Sequence, residues 1–85
     1  MKANEILREQ VLKIVDNQLK GNDPPEAKQT FERLTGLGYD ADDARIYIAQ
    51  CVAIETYHIL KDGEPFNKER YIKNLNKLPE EPFED

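Results

Sequence analysis

Taken at 100° per residue, the chain shows four stretches in which apolar positions gather on one side and charged ones on the other. From about Asn4 to Lys20, Leu7, Val11, Leu12, Ile14, Val15 and Leu19 share a broad face, opposite Glu5, Glu9, Lys13, Asp16 and Lys20. That is the pattern of an amphipathic helix laid on a core, and it stops at Gly21. The second stretch, "DPPEAKQTFERLTGLG", predicts a helix with Asp23 as N-cap and Ala27, Phe31 and Leu34 as inward stripe. Proline is tolerated in its first turn, where the missing N–H has no helical partner anyway. The third runs from Ala41 to about Lys61 and is the longest and most apolar. The fourth follows "DGEPFN", with Asn67 as cap, and directs Tyr71, Ile72, Leu75 and Leu78 inward.

The third helix carries two apolar faces. Ala44, Ile48, Cys51, Val52 and Ile59 form one; Ile46, Ala49, Ala53, Tyr57 and Leu60 form the other. A helix apolar on two sides is expected at the centre, packed on both. The pattern therefore predicts an all-α fold: a compact four-helix domain over residues 1–79, the long third helix central. The acidic, proline-containing segment 80–85 is expected to be a flexible tail.

The joint "LTGLGYDADDA" is the best-defined local signal. Gly38 suits the left-handed conformation that ends a helix, and Tyr39 can fold back onto Leu34. Asp40 then caps the third helix, with Asp43 three residues on as in a partial capping box. Leu37-Gly38-Tyr39 followed by Ala44 also resembles the loop of ubiquitin-associated domains, where the residues around it form part of the binding surface. The following helix is about twice as long as theirs, and capping chemistry accounts for these residues with no partner.

Composition narrows the field. Eighty-five residues fit one domain, with a core of modest size. No run approaches the roughly 18 apolar residues of a membrane span, and the start "MKANEILREQ" has no apolar signal core, which predicts a cytoplasmic protein. The single cysteine, Cys51, rules out an internal disulfide and a self-contained thiolate zinc site. A net charge of −5, with cations scattered among carboxylates, speaks against nucleic-acid binding. The basic run "NKERYIKNLNK" reads as the solvated face of the fourth helix, because Tyr71, Leu75 and Leu78 take its inward side.

Candidate chemistry is confined to "AIETYHIL", where Glu55 and His58 stand three residues apart. Carboxylate-bridged dinuclear metal proteins use Glu-x-x-His from two helices plus a Glu from two others. Here there is one such pair and one histidine, so a metal centre on Glu55 and His58 requires a symmetric dimer. Glu5, Glu9, Asp16 and Glu32 all fall on outer faces and cannot complete it. The packing alternative is that Glu55, set within the apolar stripe, is a buried carboxylate satisfied by Arg45, Arg70, Tyr71 or the start of the fourth helix.

Catalytic arrangements fare worse. Cys51 and His58 are seven residues apart on one helix, on the order of 10 Å along its axis, too far for a nucleophile and its base. No serine occurs, and the four glycines are isolated rather than gathered into a phosphate loop.

The ordered motifs "DPPEAKQTFERLTGLGYDADDAR" and "DGEPFNKERYIKNLNKLPEEPF", spanning Asp23 to Phe83, resemble a family of small bacterial cytosolic proteins with no established activity. The resemblance rests on the Pro-Pro-Glu helix start, the Gly-Tyr joint and the Pro-Phe-x-x-x-Arg-Tyr start of the fourth helix. It implies bacterial origin and a helical domain, and it transfers no catalytic residue. The sequence thus predicts a non-enzymatic protein–protein interaction or self-association module, with a homodimer as its plausible form. It implies no cofactor, no membrane contact and no small-molecule substrate; the alternative is a metal-binding or redox protein using Glu55 and His58.

Overall fold

Helix α3 (Ala41–Asp62) runs through the middle of the molecule and packs against each of the other three, α1 (Lys2–Gly21), α2 (Pro25–Gly36) and α4 (Lys68–Lys77). The computed structural model describes residues 2–80, with side chains from residue 8 onward. The fold is all-α. The tail beyond Glu80, and the side chains of Glu5 and Leu7, lie outside the described residues.

The core forms where the inward stripes converge. Val11 and Val15 from α1, Ala27 and Leu34 from α2, Ile48, Cys51 and Val52 from α3, and Tyr71 and Leu75 from α4 are buried together. Each fully buried Leu, Ile or Val in such a cluster contributes about 1.5–3 kcal/mol by leaving water. The stripes are narrower than their periodicity suggests. Leu12, Phe31 and Ile72 are half-buried, and Ile14 and Ile59 are exposed. The interior also takes polar residues at Thr30, Glu55 and Asn74.

The helix ends follow local chemistry. Gly38 adopts φ 110°, its N–H bonds to the Thr35 carbonyl and that of Tyr39 to the Leu34 carbonyl, the paired bonds of a Schellman ending. Tyr39 packs on the core and meets Tyr47 edge-on at 5.3 Å. Asp40 accepts from the Asp43 amide at 2.8 Å to cap α3, and Asn67 accepts from the Arg70 amide at 3.0 Å to cap α4.

Asp23 is a correction. The N-cap of α2 is Pro24, in extended conformation with no side-chain cap bond, and Pro25 occupies the first turn. The reason is the double proline. A residue preceding proline is pushed out of the α region, so Pro24 cannot begin the helix and Asp23 stands one residue too early to reach the orphan amides.

Two arginines tie elements together. Arg33 of α2 donates to the carbonyls of Leu78 (2.7 Å) and Leu75 (2.9 Å), closing the C-terminal end of α4. Arg45 of α3 donates to both carboxylate oxygens of Asp16 on α1, at 2.8 and 2.9 Å. Asp16 is therefore not on a free outer face: the α1–α3 crossing turns it toward Arg45.

Candidate functional site

Glu55 sits on the buried stripe of α3 with no exposed surface. Arg70 of α4 reaches it with two bonds, Nε to Oε2 at 2.6 Å and Nη2 to Oε1 at 2.9 Å, and the Asn67 amide donates to Oε1 at 2.9 Å. This is the fork geometry in which a guanidinium matches a carboxylate. Asn67 belongs to the α4 cap, so the carboxylate anchors the start of α4 through both backbone and side chain. Burial disfavours ionisation of Glu55. The Arg70 hydrogen bonds, the Asn67 amide and the charges of Arg70 and His58 outweigh it and hold the carboxyl below its ordinary value.

Of the other partners the sequence allowed, Arg45 is engaged by Asp16 and Asp42. The Tyr71 hydroxyl, deep in the core, donates to Gln18 of α1, and burial pushes its pKa upward.

The two members of the Glu-x-x-His pair have different hydrogen-bond partners. His58 lies one turn from Glu55 but places Nδ1 at 3.2 Å from Oδ2 of Asp62, toward the end of α3. A cation brought to Glu55 would have to displace the Arg70 guanidinium from both oxygens. The structure assembles a different donor group: His58, Asp62 and Glu64, with ligand atoms within 4.8 Å of one another. It lies at the surface, where Asp62 and Glu64 are exposed. Glu64 joins because α3 ends at Gly63 in the left-handed conformation, φ 67°, which turns the chain back toward Asp62. Cys51 is fully buried, and desolvation, aided by the Glu55 charge, pushes its thiol up to about 12. Such a thiol stays protonated at neutral pH and is a poor nucleophile.

The second apolar face of α3 departs from expectation. Instead of being packed, Ile46, Ala53, Tyr57 and Leu60 are exposed, Leu60 at 73%. The neighbouring α1 covers only its edge. Between the two helices runs a shallow groove in two parts. One is walled by Val11, Leu12, Ile46, Ala49 and Ala53, with Arg8 at its rim. The other is walled by Val11, Ala53, Thr56, Tyr57 and Leu60, with Lys61 at its rim. Val11 and Ala53 belong to both, so the two parts form one trough along α3. Lys61 lies over the Tyr57 ring, 5.3 Å from its centroid.

No family model matches the chain, and neither a curated protein nor a solved structure matches it. The resemblance over Asp23–Phe83 finds no support in these comparisons. Among the described residues, no helix is long and apolar enough to cross a membrane.

Proposed function

We propose that this chain is a non-enzymatic interaction module that works by self-association. The observation that carries the reading is the outer face of its central helix. A helix apolar on two faces is expected to be covered on both, yet Ile46, Ala53, Tyr57 and Leu60 face solvent in a single chain. Contiguous exposed apolar surface rimmed by polar residues marks an interaction site. Closed symmetric dimers are the commonest way for a protein to cover such a face.

The site chemistry supports binding over catalysis. The buried carboxylate is neutralised by Arg70, the thiol is buried and protonated, and His58 is engaged by Asp62. A reducing, cytoplasmic setting accords with a lone cysteine kept in the core. Light scattering over a concentration series tests the proposal: the mass should rise from 9.9 kDa toward twice that value. A constant 9.9 kDa from the low-micromolar to the millimolar range would overturn it.

A further inference from the structure

The two halves of the trough meet at Ala53, and the face is ordered alike in both directions from that point. Ile46 lies seven residues before Ala53 and Leu60 seven after; Gln50 lies three before and Tyr57 four after. We infer that this face is a twofold, antiparallel α3–α3 interface with a second copy of the chain, the helices crossing at Ala53. The inference rests on the self-association reading and adds where the copies meet and in which direction they run.

A twofold axis perpendicular to both helices and passing between the two Ala53 residues exchanges the ends of the face. Leu60, the most exposed large apolar side chain of the molecule's described part, then lies over Ile46 of the other copy. There it enters the half of the trough that Val11, Leu12 and Ala49 complete. Symmetry makes the exchange twice. Tyr57 falls over Gln50 of the other copy, and the small side chains of Ala49 and Ala53 let the backbones approach. The stretch from Ile46 to Leu60 is about 21 Å long, a contact of almost four helical turns.

Charge selects the direction. Asp43 and Lys61 are 18 residues apart, five whole turns, and so share one edge of the face. They stand ten residues before Ala53 and eight after it. Antiparallel pairing sets Lys61 of each copy beside Asp43 of the other. Parallel pairing would carry this edge of one copy to the opposite side of the seam from that of the other, so that Lys61 meets no Asp43. Arg45 lies on the opposite edge, held by Asp16 and Asp42, and does not oppose Lys61.

The test uses the full chain carrying Ala53→Cys, compared with Gln50→Cys, under a glutathione redox buffer. Helix axes about 8–10 Å apart, with Cα atoms about 2.3 Å from each axis, leave facing Cα atoms about 3.4–5.4 Å apart, overlapping disulfide reach. Three residues off the axis, the Gln50 pair is separated by a further 9 Å or so along the helices. Native Cys51 is buried and does not compete. We expect Ala53→Cys to form a disulfide-linked dimer readily and Gln50→Cys to form little. Lys61→Glu should weaken association about fivefold through two lost exposed pairs, and adding Asp43→Lys should restore it.

If wild type associates but Ala53→Cys cross-links no better than Gln50→Cys, this interface is wrong and the self-association reading stands. If the charge exchange fails to restore what Lys61→Glu removes, the antiparallel arrangement is wrong. If wild type is monomeric at every concentration, both readings fall, and the face belongs to a different protein.

Discussion

Arg70 and Glu55 show the difference between losing one charge and losing two. Arg70→Leu leaves a fully buried carboxylate with the Asn67 amide as its remaining named donor, and a stranded buried charge costs about 3–5 kcal/mol. The midpoint in urea should fall well below that of wild type. Glu55→Leu combined with Arg70→Leu removes both charges, and exchanges of that kind are often neutral or stabilising. The double variant should regain most of the loss; equal losses in single and double variants would show that the pair is not the energetic unit. The pH dependence has a definite sign. The folded-state pKa of Glu55 is lowered, whereas an unfolded glutamate titrates at about 4.3. Its stabilisation is therefore complete above that value and is lost as pH falls below it, through the lower folded value. Urea melts from pH 7 to pH 3 should show this acid loss in wild type and a shallower one in the double variant. That Glu55 needed a partner was legible, because its position on an apolar stripe is a matter of periodicity. Which partner was not: Arg45, Arg70, Tyr71 and the start of the fourth helix all remain open until the crossing of α3 with its neighbours fixes Arg45 on Asp16 and Arg70 on Glu55.

Helix ends are decided within three or four residues, so most of their chemistry can be read from order alone. Asp40 and Asn67 each accept from the amide three residues ahead. Asp40→Ala and Asn67→Ala should each cost about 1 kcal/mol, whereas Asp23→Ala, which removes no cap bond from α2, should stay within about 0.5 kcal/mol of wild type. Thermal or urea melts of the three variants check the contrast, and a loss at Asp23 matching that at Asp40 would contradict the α2 start described here. Gly38→Ala should cost about 1–3 kcal/mol, because φ 110° is hostile to any side chain. Nothing lies within 4 Å of the added Cβ, so the cost is one of backbone alone and larger side chains should add little to it. Asp23 misled because capping preference and proline sterics compete at adjacent residues, and the steric restriction won. Arg33 left no sequence signal: its hold on the Leu75 and Leu78 carbonyls exists only once α2 and α4 are side by side.

At the scale of the whole molecule, hydrophobic periodicity specified four helices and the central place of α3. It did not specify what covers each face. The second face of α3 is as apolar as expected, but the other three helices leave most of it open. A chain of this size buries only about 60% of its unfolded surface, and an uncovered central helix narrows its margin further. Association should therefore stabilise the fold by mass action, with thermal midpoints rising with protein concentration in wild type and not in Leu60→Glu. Leu60→Glu places a carboxylate at the most exposed apolar position of the face and should weaken association about tenfold or more while leaving the buried core untouched. Self-association through the outer face of α3 can be followed in the backbone amide resonances of the isotope-labelled chain on dilution. Concentration-dependent shifts are expected at Ile46, Ala53, Tyr57 and Leu60, with Glu55, Arg70 and the α2–α4 contact little changed. Shifts confined to α2 and α4, or none over the range, would contradict association through this face.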